Sequence, residues 1–351
     1  MRKEAPVETN IKAKPWAGKA VPKCILVIRL QAMGDMVITL PYIQHLKQTL
    51  PTGVILDFLT REEVEAIPKS IYLFNSVFSI KGKRNFKKQF LYTVAMLPKL
   101  MWQRYDVVID LQNNLLSRIV TKAIMPKACS AFDRFSPISA GERTRLTIEA
   151  VGLGANMPNY NFTLKTTNSI DDVLEENGWD GESMLVILNP AGAFTTRNWP
   201  LDYYVSFAQL WLAAYPDTQF ITIGINTIAE KAVYLKQHLG NRLINIVNKT
   251  NPAQAFAIVQ KATFVLSEDS GLMHMAWVSG IPTLAIFGGT RSDWARPLGT
   301  HTAFMDSSDL PCGNCMLEVC TYGDTHCLTR YTPEIVFNKT LGLLKSMVDA
   351  E

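Results

Sequence analysis

No apolar run in this 351-residue chain reaches about eighteen residues without a charge or a break, so no membrane-spanning helix is expected. The first 23 residues are basic, carry Pro6, Pro15 and Pro22, and lack the apolar centre of a secretion signal. They are expected to form a disordered or loosely attached arm on a cytoplasmic protein. Strong net charge is missing too: +4 gives no ground for nucleic acid as a partner. No Gly-x-Gly-x-x-Gly follows the first apolar segment, where the loop reads Gln31-Ala32-Met33-Gly34-Asp35. That disfavours a nicotinamide dehydrogenase.

What is present is a folded, enzyme-like composition, 48% hydrophobic against 19% charged, at a length that suits two domains. Continuous apolar strands are predicted over 24–30, 54–59 and 106–111, with helices over about 36–49 and from about 115. After a weakly patterned stretch the phrase restarts. Strands are expected over 184–188, 219–224, 243–247, 263–267 and 283–287, with helices over 201–214, 228–239 and about 253–260. Strands without alternation, separated by helices, mean parallel sheets covered on both faces. The expected fold is α/β, two doubly wound Rossmann-like domains facing a central cleft, with ligands at the carboxyl ends of the strands. The boundaries are a basic arm over 1–23, an N-terminal domain over 24–165 and a linker over 166–183. A C-terminal domain over 184–332 and a terminal helix over 333–351 follow.

The segment 263–280 (TFVLSEDSGLMHMAWVSG) is the most informative. A buried strand runs through a polar turn into a helix opening at Ser270-Gly271. Its unpaired N–H groups and positive dipole end make an anion site best suited to phosphate, with His274 one turn further in. Taken alone, a helix capped by Asp269 or Ser270 is the commoner explanation. Lys81, Lys83, Arg84, Lys87 and Lys88 crowd another short segment, which suits an anionic substrate or membrane surface, or a solvated loop.

Cys312, Cys315, Cys320 and Cys327 are spaced C-x2-C-x4-C-x6-C. Four thiolates so close suit one tetrahedral metal better than two disulfides in a reducing compartment. Zinc is the simplest occupant and iron the other. The site would be structural, because four cysteines leave no open position for substrate.

Five stretches occur in order: ILVIRLQAMGDMVITLP at 25–41, DVVIDLQNNLLSR at 106–118, NPAGAFTTRNWP at 189–200, SEDSGLMHMAWVSGIPTLAIFG at 267–288, and the cysteine run at 312–327. Together they resemble family 9 of the glycosyltransferases, the heptosyltransferases of bacterial lipopolysaccharide core synthesis. The resemblance covers nearly everything from Cys24 to about Val336. It implies the two-domain GT-B fold, inverting transfer without a catalytic metal, and ADP-heptose as the usual donor.

The family's catalytic Asp falls on Asp35, which would take the acceptor's proton as the hydroxyl attacks the anomeric carbon. From the residues alone Asp35 reads as a helix cap. The backbone of Ser270, Gly271 and Leu272, with His274, would stabilise the leaving diphosphate. Arg197 falls on a basic position that meets the donor phosphate, and Asp269 on the family's acidic position. Thr195 and Thr196 offer hydroxyls in the same loop. Glu230 corresponds to a carboxylate that holds the ribose hydroxyls, and Thr250 lies in a loop expected to border adenine. Each also has a plainer reading, as a surface charge, a cap or a first-turn acid.

The N-terminal half should bind an anionic saccharide or lipid-linked acceptor, and the inner face of the membrane is a further candidate partner. Arg118 and Arg134 are the leading contacts, among a basic wall with Lys122, Arg143 and Arg145. Two departures stand out. Gly288-Gly289-Thr290-Arg291 replaces the usual Gly-Pro-Thr-Asp, which suggests a looser turn and a base near the donor. Asn113-Asn114 stands where glycine is common. The alternatives are a transferase of this fold using another nucleotide sugar or a protein acceptor, and a catalytically silent binding module.

Overall fold

The computed structural model describes residues 10–165 and 170–349. The chain divides into two compact units at 165/166. The first unit runs β1 (Lys12–Lys14), β2 (Cys24–Ile28), α1 (Met33–Thr49), β3 (Ile55–Arg61), α2 (Ala66–Ser70), β4 (Ser76–Ile80), α3 (Phe86–Trp102), β5 (Val107–Asp110), α4 (Leu115–Ile124), β6 (Ala128–Ala131) and α5 (Ala140–Glu149). Its sheet order is β1-β6-β5-β2-β3-β4, parallel except for β1.

The second unit opens with α6 (Ile170–Glu176), β7 (Met184–Asn189), α7 (Leu201–Ala214), β8 (Thr218–Thr222), α8 (Ala229–Leu239), β9 (Leu243–Asn245) and α9 (Pro252–Val259). It continues with β10 (Phe264–Glu268), α10 (Gly271–Val278), β11 (Thr283–Ile286), α11 (Ser292–Ala295), β12 (Thr302–Met305), α12 (His326–Thr329) and α13 (Pro333–Val348). All six strands are parallel, in the order β12-β11-β10-β7-β8-β9.

The central strands are buried throughout because helices cover both faces, and β2 is wholly apolar while β10 opens apolar and closes on Ser267 and Glu268. In both sheets the first long strand is central, and the chain builds outward on one side before crossing to the other. That creates a topological switch point between β2 and β5 in one unit and between β7 and β10 in the other, where the diverging loops leave a crevice. The second core is aromatic, with Trp211 stacked on Phe264 and the α13 residue Phe337 edge-on to Phe207. The terminal helix therefore packs on α7 as part of its own unit.

Three expectations are corrected. From Asn10 onward the arm is attached, because Lys12–Lys14 pairs antiparallel with β6 and Trp16 N–H donates to Val151 O at 2.8 Å. Residues 1–9 lie outside the described residues. The segment 166–183 is not a bare linker: Ile170 and Leu174 are buried and Lys261 pairs with Asp171 at 2.8 Å, while 166–169 lie outside the described residues. Helix α1 starts at Met33, so Asp35 sits in its first turn. Among the described residues, no helix is long and apolar enough to cross a membrane.

Candidate active site

At the β2/β5 switch point, Asp35 serves as the third residue of α1, accepting the Ala32 N–H at 3.1 Å. The N-cap is thus Ala32, not Asp35, which reaches back from inside the helix to the cap's backbone. A second partner was not foreseen: Arg29, at the end of β2, pairs with Asp35 at 3.2 Å. Arg29 is buried, donates to Leu111 O and lies over the Phe132 ring. Burial lowers its pKa, an effect that Asp35 and Asp110 oppose. The carboxylate itself is about half exposed, at 44%. One side of Asp35 is therefore fixed by a cation and a backbone amide while the other faces solvent.

Asp110 ends β5. It is buried, which raises its pKa, and it accepts the N–H groups of Gln112 (3.0 Å) and Asn113 (2.8 Å). The Gln112 side-chain Oε1 in turn accepts the N–H groups of Leu30 and Gln31, fixing the loop that carries Asp35. Arg118 and Arg134 come together on one cavity of about 660 Å³, with Lys122 and, from the arm, Lys12 and Lys14. Two members of the expected basic wall are committed elsewhere. Arg143 is buried against Phe132 and Asp133 O, and Arg145 binds Glu142 and Glu149.

At the β7/β10 switch point, Ser270 caps α10 by accepting the Met273 N–H, and also accepts from the Asn189 amide at 2.7 Å. The first helical residues, Gly271 and Leu272, have no acceptor one turn back within the helix, so their N–H groups point into the crevice end. His274 is buried; its Nδ1 accepts from Trp277 Nε1 at 3.1 Å. With Nδ1 acting as acceptor, the neutral ring carries its proton on Nε2. Arg197 pairs with Asp269 at 3.6 Å, and its Nε has no partner among the described residues.

The loop carrying Arg197 is held by two groups that sequence reasoning missed. Glu268, fully buried at the end of β10, accepts the backbone N–H groups of Gly192 and Trp199. Burial pushes its pKa up to about 7, against Lys231 and those two amides. Lys231 reaches from α8 to Pro190 O (2.8 Å), Gly192 O (3.2 Å) and Asn198 Oδ1 (2.6 Å). The available signal was a charge closing an apolar strand, as in Arg29 and Glu268 alike. Such a residue must find a buried partner.

The hydroxyls of Thr195 and Thr196 are engaged within the protein. Thr195 donates to Glu318 O at 2.9 Å and Thr196 to Leu317 O at 2.5 Å, which joins the donor loop to the cysteine loop. Gly288 and Gly289 close the same junction rather than loosen it. A Cβ on Gly288 would stand 2.1 Å from Thr196 O, so only glycine allows the approach. Arg291 is neutralised by Asp293, so the base there is no free charge. Glu230 is exposed in the first turn of α8, and Thr250 precedes the Asn251 cap of α9; both loops follow strands at the same end of the sheet.

The four loop cysteines are free thiols. Cys327 is raised to about 11 by burial and by the neighbouring Cys315, Cys320 and Cys312. Backbone N–H groups lower Cys320. The donor chemistry suits a thiophilic metal, but among the described residues no group of three or more His, Cys, Asp or Glu is close enough to hold one ion. Metal binding would require this loop to tighten.

The chain matches the sequence profile of glycosyltransferase family 9 (heptosyltransferase) over residues 94–326. It is 24% identical over 361 aligned positions to lipopolysaccharide heptosyltransferase 1 of Pseudomonas aeruginosa, covering 91% of this chain and 98% of that protein. A family 9 glycosyl transferase from Veillonella parvula superposes with a TM-score of 0.75 at 16% identity, over 92% and 97% of the two chains. The Escherichia coli heptosyltransferase WaaC, solved with ADP, gives 0.65 at 18% over 91% and 99%. Two parallel-sheet Rossmann-like units of the GT-B kind, with a profile match over most of the chain, show that this protein belongs to glycosyltransferase family 9, the heptosyltransferases.

Proposed function

We propose that this heptosyltransferase moves heptose from ADP-heptose, with inversion, onto an anionic saccharide of the lipopolysaccharide inner core. The observation that carries the reading is the anion site between β7 and β10: two helix-first-turn amides, the His274 ring and an Arg197 with an unpartnered Nε. The ADP bound by WaaC supports the choice of nucleotide.

Asp35 takes the proton of the acceptor hydroxyl, whose oxygen forms the new bond to the anomeric carbon. The bond from that carbon to the diphosphate breaks on the opposite face, and ADP leaves with the electron pair. Gly271 and Leu272 N–H, Arg197 and His274 absorb the growing charge, so no metal is needed for that role. Glu230 receives the ribose hydroxyls and Thr250 borders the adenine. Arg118 and Arg134 hold the acceptor's carboxylate or phosphate groups. The cysteine loop, once tightened, would hold one zinc or iron through Cys312, Cys315, Cys320 and Cys327 in a structural role, bracing the donor loop through Thr195 and Thr196.

Calorimetric titration with ADP, UDP and GDP tests the donor. Selective ADP binding is expected. Preference for UDP or GDP overturns the donor assignment, and no binding by any of the three overturns the site.

A further inference from the structure

Between Glu65 and Asp106 the chain contains no acidic residue and eight basic ones: Lys69, Lys81, Lys83, Arg84, Lys87, Lys88, Lys99 and Arg104. The middle of this stretch is α3, which is apolar on its outward side as well as its inward one. Its inward line packs Leu100, Met96 and Leu97 on the core and includes Gln89 and Thr93, whose side chains bond to backbone carbonyls. Its outward line is apolar. Leu91 is 67% exposed and Trp102 85%, with Val94 and Met101 also exposed and Phe86 at the leading end. A water-facing helix normally presents the reverse. An exposed apolar face of this extent marks a contact surface.

We propose that α3 and the loop before it dock on an anionic phospholipid bilayer. Apolar and aromatic side chains on one helix face, flanked by lysines, are the pattern of a helix lying in the membrane interface. The flanking charge is available for headgroups. The nearby acids are Glu62, Glu63 and Glu65. Glu62 accepts the backbone N–H groups of Gly82 and Lys83, while Glu63 pairs with Arg61 and Glu65 with Lys69. Among the described residues, Lys81, Lys83, Arg84, Lys87 and Lys88 form no ion pair.

A second copy of this chain is the poorer occupant. A two-fold contact through α3 would set one acid-free, eight-cation stretch against its own copy. A bilayer brings the opposite sign. The position also serves the proposed acceptor. A crevice of about 480 Å³ is lined by Arg84, Phe86 and Gln89 at the start of α3, and by Leu30 and Gln31, a few residues before Asp35. If the acceptor is lipid-anchored, as the proposed function holds, its saccharide would enter beside the docking helix. The docking itself does not depend on that reading.

Co-sedimentation of the full chain with vesicles tests the proposal without any turnover. Binding is expected to phosphatidylcholine vesicles containing phosphatidylglycerol, to fall with added salt, and to be absent on phosphatidylcholine alone. Lys87→Glu with Lys88→Glu should weaken it by about 25-fold or more, at roughly fivefold per basic residue lost. Leu91→Ser with Trp102→Ser should weaken it by about tenfold or more. Both pairs should keep the wild-type unfolding temperature and ADP titration, since all four residues are exposed. Three results each overturn the proposal. The first is no binding to either vesicle, and the second is binding that neither pair reduces. The third is a concentration-dependent dimer that Leu91→Ser with Trp102→Ser dissolves. Failure of ADP binding alongside intact vesicle binding would instead count against the proposed donor site.

Discussion

Replacing Asp35 with asparagine removes a base while leaving an acceptor in the same place. The Ala32 N–H, at 3.1 Å from the carboxylate, can bond to an amide oxygen, so the first turn of α1 stays capped. The ion pair with Arg29 is lost, but Arg29 keeps its bond to Leu111 O and the nearby charge of Asp110. Asp35 is 44% exposed but Arg29 is buried, so that loss should cost about 1–3 kcal/mol. In a unit of this size the unfolding temperature would then drop by about 2–12 °C. A general base contributes about 10²–10⁴-fold, or roughly 3–5 kcal/mol of barrier. Asp35→Asn should therefore lower kcat by two to four orders of magnitude, a range taken from general-base catalysis. Donor affinity should hardly change, because the base acts only in the chemical step. The assay is single-turnover transfer from ADP-heptose, with ADP titration and thermal unfolding on the same preparation. Turnover within about threefold of wild type would leave Asp35 as a cap and ion-pair partner only, and would refute the mechanism.

Glu268 predicts a pH effect on stability. Its pKa rises from 4.5 to about 7 in the folded state, chiefly through burial. Between those values the folded chain holds a proton that the unfolded chain has released, so stability falls as pH rises through this window. The full loss is about 3 kcal/mol. Glu268→Gln cannot titrate and should flatten that part of the curve; urea midpoints at pH 5 and 7.5 that shift equally in both proteins would contradict it. For the cysteine loop, elemental analysis of protein purified without chelator should find about one zinc or iron per chain. A metal-free protein with intact ADP binding would remove the metal from the proposal.

Local sequence carried much of the architecture. The strands at 24–28, 184–189 and 264–268 were legible because burial on both faces gives each a continuous apolar run, closed by a polar residue in the last two. Helix α7 was read to its observed limits, and Ser270 was visible as a cap because capping depends on three or four adjacent residues. Helix α3 was not legible. Its outward face is apolar and its inward face partly polar, and periodicity alone does not say which face packs.

The candidate site divides in the same way. The chain by itself determined two doubly wound sheets, the switch-point loops, and residue types able to remove a proton or hold a diphosphate. These follow from hydrophobic runs, caps and short motifs, all set by neighbours in sequence. Only the tertiary structure decided that Arg29 holds Asp35, that Glu268 and Lys231 clamp the Arg197 loop, and that Thr195 and Thr196 tie that loop to the cysteine loop. Those choices join residues dozens of positions apart. They are made by the need of each buried charge or hydroxyl for a partner, and that need acts only once the chain has folded.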